Sequence, residues 1–271
     1  MAEEGRALTT TDIDAMEEKS AAGSVPPALL PSRPRLSLVV PCFNEEENVE
    51  ALVKECFQAL RGMGIPFEMV VIDDGSKDRT LERLRNERRG KPELRIVKLK
   101  KNTGQSGALV AGFAEARGDL VATLDGDLQN DPADIPALVA RLESGEADMV
   151  SGWRKKRRDS FLRRVSTRVA NRVRKTFLKD GMNDSASSMK VYRREVLQNL
   201  PVFHGMHRFF PAIVKARGFR VVEVPVNHRP RVHGQAKYGL WNRVFRATVD
   251  MLGVAWLRTR AIRVEAQEVL D

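Results

Sequence analysis

The chain contains 271 residues, of which 42% are hydrophobic, and it carries a formal net charge of +10 at pH 7. This length accommodates one large α/β domain with appendages, and the charge favours an anionic partner: a phosphate-rich substrate, a membrane surface or a nucleic acid. The polar, acidic first residues and the lack of any apolar run of ~18 residues lead us to expect neither a signal peptide nor a membrane-spanning helix.

We predict four parts along the chain. Residues 1–34 form a flexible tail, because the stretch from 21 to 34 is rich in Ala, Gly, Ser and Pro. Residues 35–237 form the α/β domain, residues 238–258 an amphipathic helix at a membrane interface, and residues 259–271 a polar tail.

Buried strands alternate with helices in the first half of the chain. Apolar runs predict strands at 36–41, 67–72, 94–99 and 120–124. The first helix is predicted to begin at Asn44, an N-cap residue with Glu47 three positions later. Its apolar face comprises Val49, Leu52, Val53, Cys56, Phe57 and Leu60. Four such strand–helix repeats predict a mostly parallel, doubly wound α/β sheet.

Polar residues follow the predicted strands at their carboxyl ends. The second strand runs into Asp73-Asp74-Gly75-Ser76, and the third into the Gly-rich stretch 102–108, which opens a helix whose amides suit an anion. The fourth strand stops at Asp125-Gly126-Asp127-Leu128-Gln129. Because parallel strands place these ends at one edge, we expect one cluster there, comprising Asp73, Asp74, Gln105, Asp125 and Asp127.

The Asp-x-Asp motif is a candidate metal site. Two carboxylates and the amide oxygen of Gln129 suit Mg²⁺ or Mn²⁺, although a polar loop that caps the next helix would look similar. The first strand is followed by neither GxGxxG nor a P-loop, so a nucleotide would be held through the metal and through base and ribose contacts. The four histidines lack zinc-ligand spacing, and two cysteines without a CxxC pair indicate a reduced, intracellular compartment.

A strongly basic segment follows the first half. Residues 153–179 contain twelve Lys or Arg and one acid, Asp159. Apolar residues recur there near helical spacing, which predicts a basic amphipathic helix at 160–178 that binds a membrane surface. A solvated basic face packed on the core is the alternative.

The last third contains three further features. A small polar loop, Asp184–Ser188, precedes a helix predicted from Arg193 and a strand at 219–226. Residues 228–238 place five basic or imidazole groups in a Gly-containing loop, which suits a pyrophosphate. The final helix, from about Leu240, carries Trp241, Phe245 and Trp256 beside arginines, a pattern that fits a membrane interface and a core helix equally well.

Five motifs together resemble the family 2 glycosyltransferases of the GT-A fold, and within them the polyprenyl-phosphate glycosyltransferases. The resemblance covers residues 36–257, and its motifs stand in the expected order at 40–45, 73–76, 102–108, 125–129 and 231–238. It implies an inverting, metal-dependent enzyme. Such an enzyme transfers a sugar from a UDP-sugar or GDP-mannose to undecaprenyl or dolichyl phosphate.

The resemblance also implies a role for each matching residue. The nucleotide-sugar would be held by Pro41, Phe43, Glu45, Asp73, Asp74, Gln105, Asp125, Asp127 and Lys237. The metal would be bound by Asp125, Asp127 and Gln129, and the acceptor phosphate by Arg154, Arg163 and Arg164. The catalytic residues would be Asp125, Asp127, Arg154 and Arg231. Two positions depart from the family: Phe43 stands where Tyr is common, and Ala236 where Ser is usual.

The acceptor distinguishes the competing interpretations. A phosphate monoester is already anionic at neutral pH, so it needs arginines to position it more than it needs a base to deprotonate it. The first alternative is an enzyme whose acceptor is a sugar hydroxyl, and that acceptor would need a base. A nucleic-acid-binding protein is disfavoured because the basic segment lacks interleaved aromatics. A non-catalytic scaffold is disfavoured because both metal-site carboxylates are present. We expect peripheral binding at the cytoplasmic membrane face, and a membrane-protein partner or a homo-oligomer stays open.

Overall fold

The computed structural model describes residues 33–154, 176–178, 180–230 and 240–260, and of residues 240–246 the backbone alone. Several predictions therefore lie outside the described residues. These are most of the tail at 1–34, the basic helix before residue 176, the polar tail from 261, and the side chains of Arg163, Arg164, Arg231, Ala236, Lys237, Trp241 and Phe245.

Within the described residues, seven strands form one sheet in the order β3-β2-β1-β4-β6-β5-β7. The strands are β1 (Leu36–Cys42), β2 (Phe67–Asp73), β3 (Leu94–Lys98), β4 (Leu120–Thr123), β5 (Met149–Arg154), β6 (Lys190–Arg193) and β7 (Val221–Val226). All neighbouring pairs are parallel except those that β6 makes with β4 and β5. The predicted mostly parallel α/β sheet is confirmed.

Helices cover the sheet. They are α1 (Val49–Arg61), α2 (Thr80–Glu87), α3 (Gly104–Glu115), α4 (Ile135–Glu143), α5 (Phe210–Ala216) and α6 (Leu240–Arg260). The apolar face predicted for the first helix is the buried face of α1. Helix α3 lies close against β1, because a Cβ atom on Gly112 would come within 2.2 Å of Val39 Cγ1. This close approach packs the second half of α3 against the middle of β1.

The helix start predicted at Asn44 is wrong. Helix α1 begins at Val49, and Asn44 adopts a left-handed conformation with a φ of 52°. Its side-chain oxygen accepts the backbone N–H of Lys77 at 2.8 Å, and its own N–H donates to Ser76 Oγ at 3.0 Å. Asn44 therefore joins the β1 loop to the β2 loop, since asparagine tolerates this conformation more readily than most residues do.

The helix predicted from Arg193 is also wrong. Arg193 ends strand β6, and a short 3₁₀ turn, Arg194–Leu197, follows it. The buried run that contains Val191 and Tyr192 pairs with β4 on one side and β5 on the other, which favours an extended conformation. Because β6 is antiparallel, its first residue, Lys190, lies beside Thr123 at the end of β4. The polar loop before β6 thus reaches the same edge as the ends of the parallel strands.

Candidate active site at the carboxyl ends of the strands

A cleft of about 210 Å³ opens where β1, β2 and β4 end. It is lined by Pro41, Cys42, Phe43, Glu45, Asp74, Asn102, Gly104, Gln105, Ala108, Asp125, Gly126 and Asp127. The structure therefore brings three of the predicted motifs into one cleft, together with both carboxylates of the Asp-x-Asp motif. Its position matches the ligand crevice of open α/β sheets.

Asp125 and Asp127 stand on a tight turn directly after β4. A Cβ atom on Gly126 would come within 2.8 Å of Cys42 Sγ, so the turn packs closely against β1. Gln105 Nε2, from the first turn of α3, donates to Asp125 Oδ1 at 2.6 Å. The backbone N–H of Gln129 donates to Asp127 Oδ1 at 3.2 Å. Both carboxylates are thus held at the cleft wall by neighbours from the predicted motifs.

The charge on Asp125 is held in an unfavourable environment. Burial, and next the charge of Asp127, raise the pKa of Asp125 to about 6, while Ser188, Lys190 and Arg154 oppose the rise. A bound divalent cation would relieve the repulsion between the two carboxylates. Among the described residues no cluster of three His, Cys, Asp or Glu side chains could hold a metal. The two carboxylates at the cleft fit Mg²⁺ or Mn²⁺, ions that commonly bind one or two carboxylates plus substrate phosphates.

This pKa predicts pH-dependent metal binding. Asp125 must be ionised to bind a cation, so Mn²⁺ affinity should fall ~10-fold for each pH unit below about 6. Mn²⁺ titrations from about pH 7.5 to about pH 5, followed by electron paramagnetic resonance with a nucleoside diphosphate present, measure this directly. Asp125→Asn should weaken binding and flatten the profile. A wild-type affinity that stays constant down to about pH 5 would contradict the assignment of Asp125 to the metal.

Asp73 and Asp74 both have structural contacts. Asp74 Oδ1 accepts the N–H and hydroxyl of Thr103 at 2.7 and 2.8 Å, and Oδ2 accepts the N–H of Gly104 at 2.8 Å. Asp74 therefore caps α3 while lining the cleft. Asp73 Oδ1 accepts from Ser76 N at 3.1 Å, and its buried Oδ2 has no hydrogen-bond partner among the described residues. Their predicted contacts to the base and ribose remain predictions.

Two residues beside the cleft were not recognised in the sequence as site residues: Asp184 and Lys190. Asp184 accepts Arg154 Nε on Oδ2 at 2.6 Å and Arg154 Nη2 on Oδ1 at 2.9 Å, which fixes the plane of the guanidinium. Lys190 is buried and donates from Nζ to the carbonyl of Ser187. Burial lowers the pKa of Lys190 to about 8, and the charges of Asp184 and Asp125 limit the fall.

The sequence does contain a signal for Asp184 and Lys190. The polar stretch 184–188 directly precedes a short apolar run that contains a lysine, as expected where a strand enters the sheet at its functional edge. Two contacts join the stretch to β4 and to the loop that follows it. Thr123 Oγ1, at the end of β4, donates to the carbonyl of Ser188 at 2.6 Å, and Asn130 Nδ2, in the loop, donates to Ser188 Oγ at 2.7 Å. The loop 184–188 reaches this edge of the sheet because β6 is antiparallel. The spacing of residues along the sequence could not predict that direction.

The beginning of the predicted 228–238 loop contacts the Asp-x-Asp turn and the residues after it. The N–H of Arg229 donates to the carbonyl of Gln129 at 2.8 Å, and the Arg229 side chain pairs with Glu55 at 2.6 Å and Asp131 at 2.8 Å. Arg231 and Lys237 lie outside the described residues, as do Arg163 and Arg164. The roles predicted for these four residues, and for the side chain of Gln129, remain predictions.

Helix α6 has two different apolar faces. Met251 and Val254 are buried, whereas Val249, Leu252 and Trp256 are 52%, 49% and 63% exposed. The exposed residues recur at i, i+3 and i+7 and form one stripe, which we call the α6 stripe. One face of the helix therefore packs on the core and another is exposed, and contact of the exposed face with a membrane stays a prediction. Among the described residues, no helix combines the length and hydropathy needed to cross a bilayer.

A second exposed aromatic residue lies near the end of α6. Arg258 Nη1 donates to the carbonyl of Leu178, and the adjacent Phe177 is 50% exposed. This contact brings the end of the basic segment 153–179 to the carboxyl end of α6.

Comparison with known proteins identifies the family. A model described as Glycosyl transferase family 2 matches residues 37–200. A dodecaprenyl-phosphate galacturonate synthase of Rhizobium johnstonii is 43% identical over 224 residues, which are 81% of this chain and 66% of that protein. An undecaprenyl-phosphate 4-deoxy-4-formamido-L-arabinose transferase of Edwardsiella ictaluri is 39% identical over 207 residues, which are 76% of this chain and 63% of that protein. The chain thus spans less than two thirds of the length of either relative.

The solved structures confirm the GT-A fold predicted from the resemblance. Glucosyl-3-phosphoglycerate synthase from Mycobacterium tuberculosis, in complex with Mn²⁺, uridine diphosphate and phosphoglyceric acid, superposes with a TM-score of 0.65 at 19% identity. The match covers 94% of this chain and 84% of that one. At this level of identity the likeness concerns the fold alone.

Proposed function

The chain belongs to glycosyl transferase family 2, and we propose that it transfers a sugar from a nucleotide-sugar to a polyprenyl phosphate, with inversion, at the cytoplasmic membrane face. One observation carries the proposal: the acidic cleft and the fixed guanidinium of Arg154 lie at the same edge of the sheet. The positive charge of Arg154 is among the influences that limit the rise in the pKa of Asp125. The names of the two relatives support a polyprenyl phosphate as the acceptor class.

On the donor side, Asp125, Asp127 and Gln129 would hold Mg²⁺ or Mn²⁺, which supplies positive charge beside the leaving diphosphate when bound. Gln105 orients Asp125 through its 2.6 Å hydrogen bond. Pro41 and Phe43 provide apolar cleft wall for the nucleotide. These residues bind and orient the donor so that its anomeric carbon faces the acceptor.

On the acceptor side, a phosphate oxygen forms the bond to the anomeric carbon while the bond from that carbon to the diphosphate breaks. The phosphate is an anion near neutral pH and needs orientation by a charged donor such as Arg154. Among the described residues, which do not include His233, the cleft lining contains no histidine. Of its carboxylates, Asp74 is engaged by α3, and Glu45 accepts from Asn48 Nδ2 at 2.7 Å. This scarcity of candidate bases supports a phosphate acceptor over a sugar hydroxyl.

A screen of donors tests the proposal. Radiolabelled UDP-glucose, UDP-galacturonate, other UDP-sugars and GDP-mannose are each incubated with undecaprenyl or dolichyl phosphate and Mn²⁺, and label in the organic phase is counted. We expect one donor to give a lipid-soluble product only when polyprenyl phosphate is present. Label that enters a water-soluble saccharide instead would favour the alternative, a family 2 enzyme with a hydroxyl acceptor.

Membrane binding should combine a salt-sensitive and a salt-resistant part. Each basic side chain near an anionic surface contributes about 1 kcal/mol, which salt screens, whereas insertion of the α6 stripe is not screened. We therefore expect cosedimentation with phosphatidylglycerol vesicles that high salt weakens without abolishing. Changing Val249, Leu252 and Trp256 to Ser should abolish the salt-resistant part.

The control for this prediction is Val202→Ser, which changes a 66% exposed valine in a loop. It should leave vesicle binding unchanged, and melting temperatures of both variants must match the wild type. If the triple variant bound vesicles at high salt as well as the wild type does, the α6 stripe would be ruled out as the membrane contact. It would then favour a membrane-protein partner or an oligomer, which the proposal leaves open.

A further inference from the structure

Glu223 lies at the centre of a hydrogen-bonded clamp beside the site, although it belongs to no sequence motif and does not line the cleft. It stands on β7 opposite Ser151 of the parallel strand β5, three residues before Arg154. Its Oε1 accepts the backbone N–H groups of Asn183 and Asp184 at 2.9 and 2.8 Å. Its Oε2 accepts the N–H and Nδ2 of Asn183 at 2.8 and 2.9 Å.

The clamp orders the loop that carries Asp184. Three donors make these four contacts, because the N–H of Asn183 is shared between both oxygens of Glu223. They engage both oxygens of a carboxylate that offers about four lone-pair sites. The negative charge of Glu223 would also repel a phosphate, so a direct contact with the substrate is disfavoured. What the clamp fixes is the backbone at Asn183 and Asp184, and Asp184 is only 6% exposed.

Asp184 transmits this order to Arg154. The guanidinium is held through Nε at 2.6 Å and Nη2 at 2.9 Å, and the backbone N–H of Arg154 also donates to Asp184 Oδ2 at 3.3 Å. Glu223 therefore acts on Arg154 through one intermediate residue. Recognition of phosphate by a planar guanidinium depends on orientation, and a displacement of about 1 Å can cost ~100-fold in rate.

We propose that Glu223 is a positioning residue that sets the orientation of Arg154 toward the acceptor phosphate by clamping the Asp184 loop. The inference rests on the proposed function, because it uses Arg154 as the residue that binds the acceptor. It assigns specificity for the acceptor, and not for the donor, to the β5–β7 side of the sheet.

A matched control exists at the opposite end of the same strand pair. Asp148 precedes β5 and accepts the N–H, Nε and Nη2 of Arg220, which precedes β7, at 2.8, 3.2 and 2.8 Å. Asp148→Asn therefore disturbs a comparable carboxylate between the same strands, away from the cleft. A loss of stability alone would affect this variant and Glu223→Gln alike.

The kinetic test compares Glu223→Gln with Asp148→Asn. The glutamine amide keeps one acceptor oxygen but turns an NH2 group toward the donors that the other oxygen of Glu223 accepts, so the clamp should loosen and Arg154 should lose its fixed plane. We expect the KM for undecaprenyl phosphate to rise ~10-fold in Glu223→Gln and the donor KM to change less than ~2-fold. Asp148→Asn should change neither. The combination with Asp184→Asn should be no worse than Asp184→Asn alone, since both changes act through one contact.

Amide hydrogen exchange gives a second readout that needs no activity. Glu223→Gln should reduce protection at Asn183 and Asp184 and leave Thr103 and Gly104 at the cleft unchanged. Unchanged protection at Asn183 and Asp184, or equal effects on donor and acceptor KM, would overturn the inference. If the wild type labels no polyprenyl phosphate, the proposed function fails and the role of Arg154 with it. The exchange result then decides separately whether Glu223 positions Asp184.

Discussion

Asp127→Asn is expected to reduce sugar transfer by about 100-fold or more, since loss of even a residue that only supports a metal ligand typically costs 10–100-fold. The asparagine keeps the shape of the side chain and can still accept the N–H of Gln129, which Asp127 Oδ1 binds at 3.2 Å. The turn after β4 should therefore persist, and the change removes one negative charge from the cleft. Excess Mn²⁺ should restore activity only in part.

The matched control is Asp119→Asn, at the other end of the same strand. Asp119 is exposed and pairs with Arg35 at 3.3 Å, so its loss should leave the transfer rate unchanged. Initial rates of label transfer at several Mn²⁺ concentrations measure both variants. Normal turnover by Asp127→Asn, or full wild-type activity in the presence of EDTA, would refute the metal role of this motif.

Arg154→Lys should have the second largest effect. Lysine keeps the charge but cannot reproduce the bidentate contact with Asp184, so the charge is no longer held in one orientation. A lost charge-assisted hydrogen bond costs ~1.5–3 kcal/mol, which corresponds to roughly 10- to 150-fold in kcat/KM for the lipid acceptor. Binding of the nucleoside diphosphate, measured by calorimetry, should stay within ~2-fold of the wild type.

The control for this change is Arg220→Lys. Arg220 makes a similar two-point contact with Asp148, through Nε at 3.2 Å and Nη2 at 2.8 Å, at the opposite end of β5 and β7. This variant should transfer sugar at the wild-type rate. If Arg154→Lys weakened nucleotide binding and left the acceptor KM unchanged, Arg154 would belong to the diphosphate side of the site.

The first half of the fold was predictable because local signals agree with the tertiary structure. Each of the first four strands is a short apolar run that ends in polar residues, and each appears within one or two residues of its predicted bounds. The Asp-x-Asp motif could be placed at the sheet edge for the same reason. Asp125 and Gln105 are twenty residues apart, yet the parallel order of the strands brings them to 2.6 Å.

The second half was less predictable because its contacts depend on strand direction. An antiparallel β6 brings Lys190 beside Thr123, and nothing in the spacing of these residues indicates that direction. Asp184 and Glu223 act on Arg154 across a loop and a neighbouring strand, and the pairing of β5 with β7 was not foreseen. Residues such as Asp184 and Glu223, which position another side chain, do not recur with the period of a helix or a strand. They were therefore not recognised in the sequence.

If the acceptor nucleophile is a phosphate oxygen, as proposed, two lipids that differ only in that phosphate should behave differently. The enzyme is given its preferred labelled nucleotide-sugar with either undecaprenyl phosphate or undecaprenol, which has the same chain and a free hydroxyl. We predict transfer to the phosphate and none to the alcohol, because Arg154 would orient an anion and the described part of the cleft offers few candidate bases. Comparable transfer to undecaprenol, or to a soluble saccharide in place of either lipid, would contradict the claim.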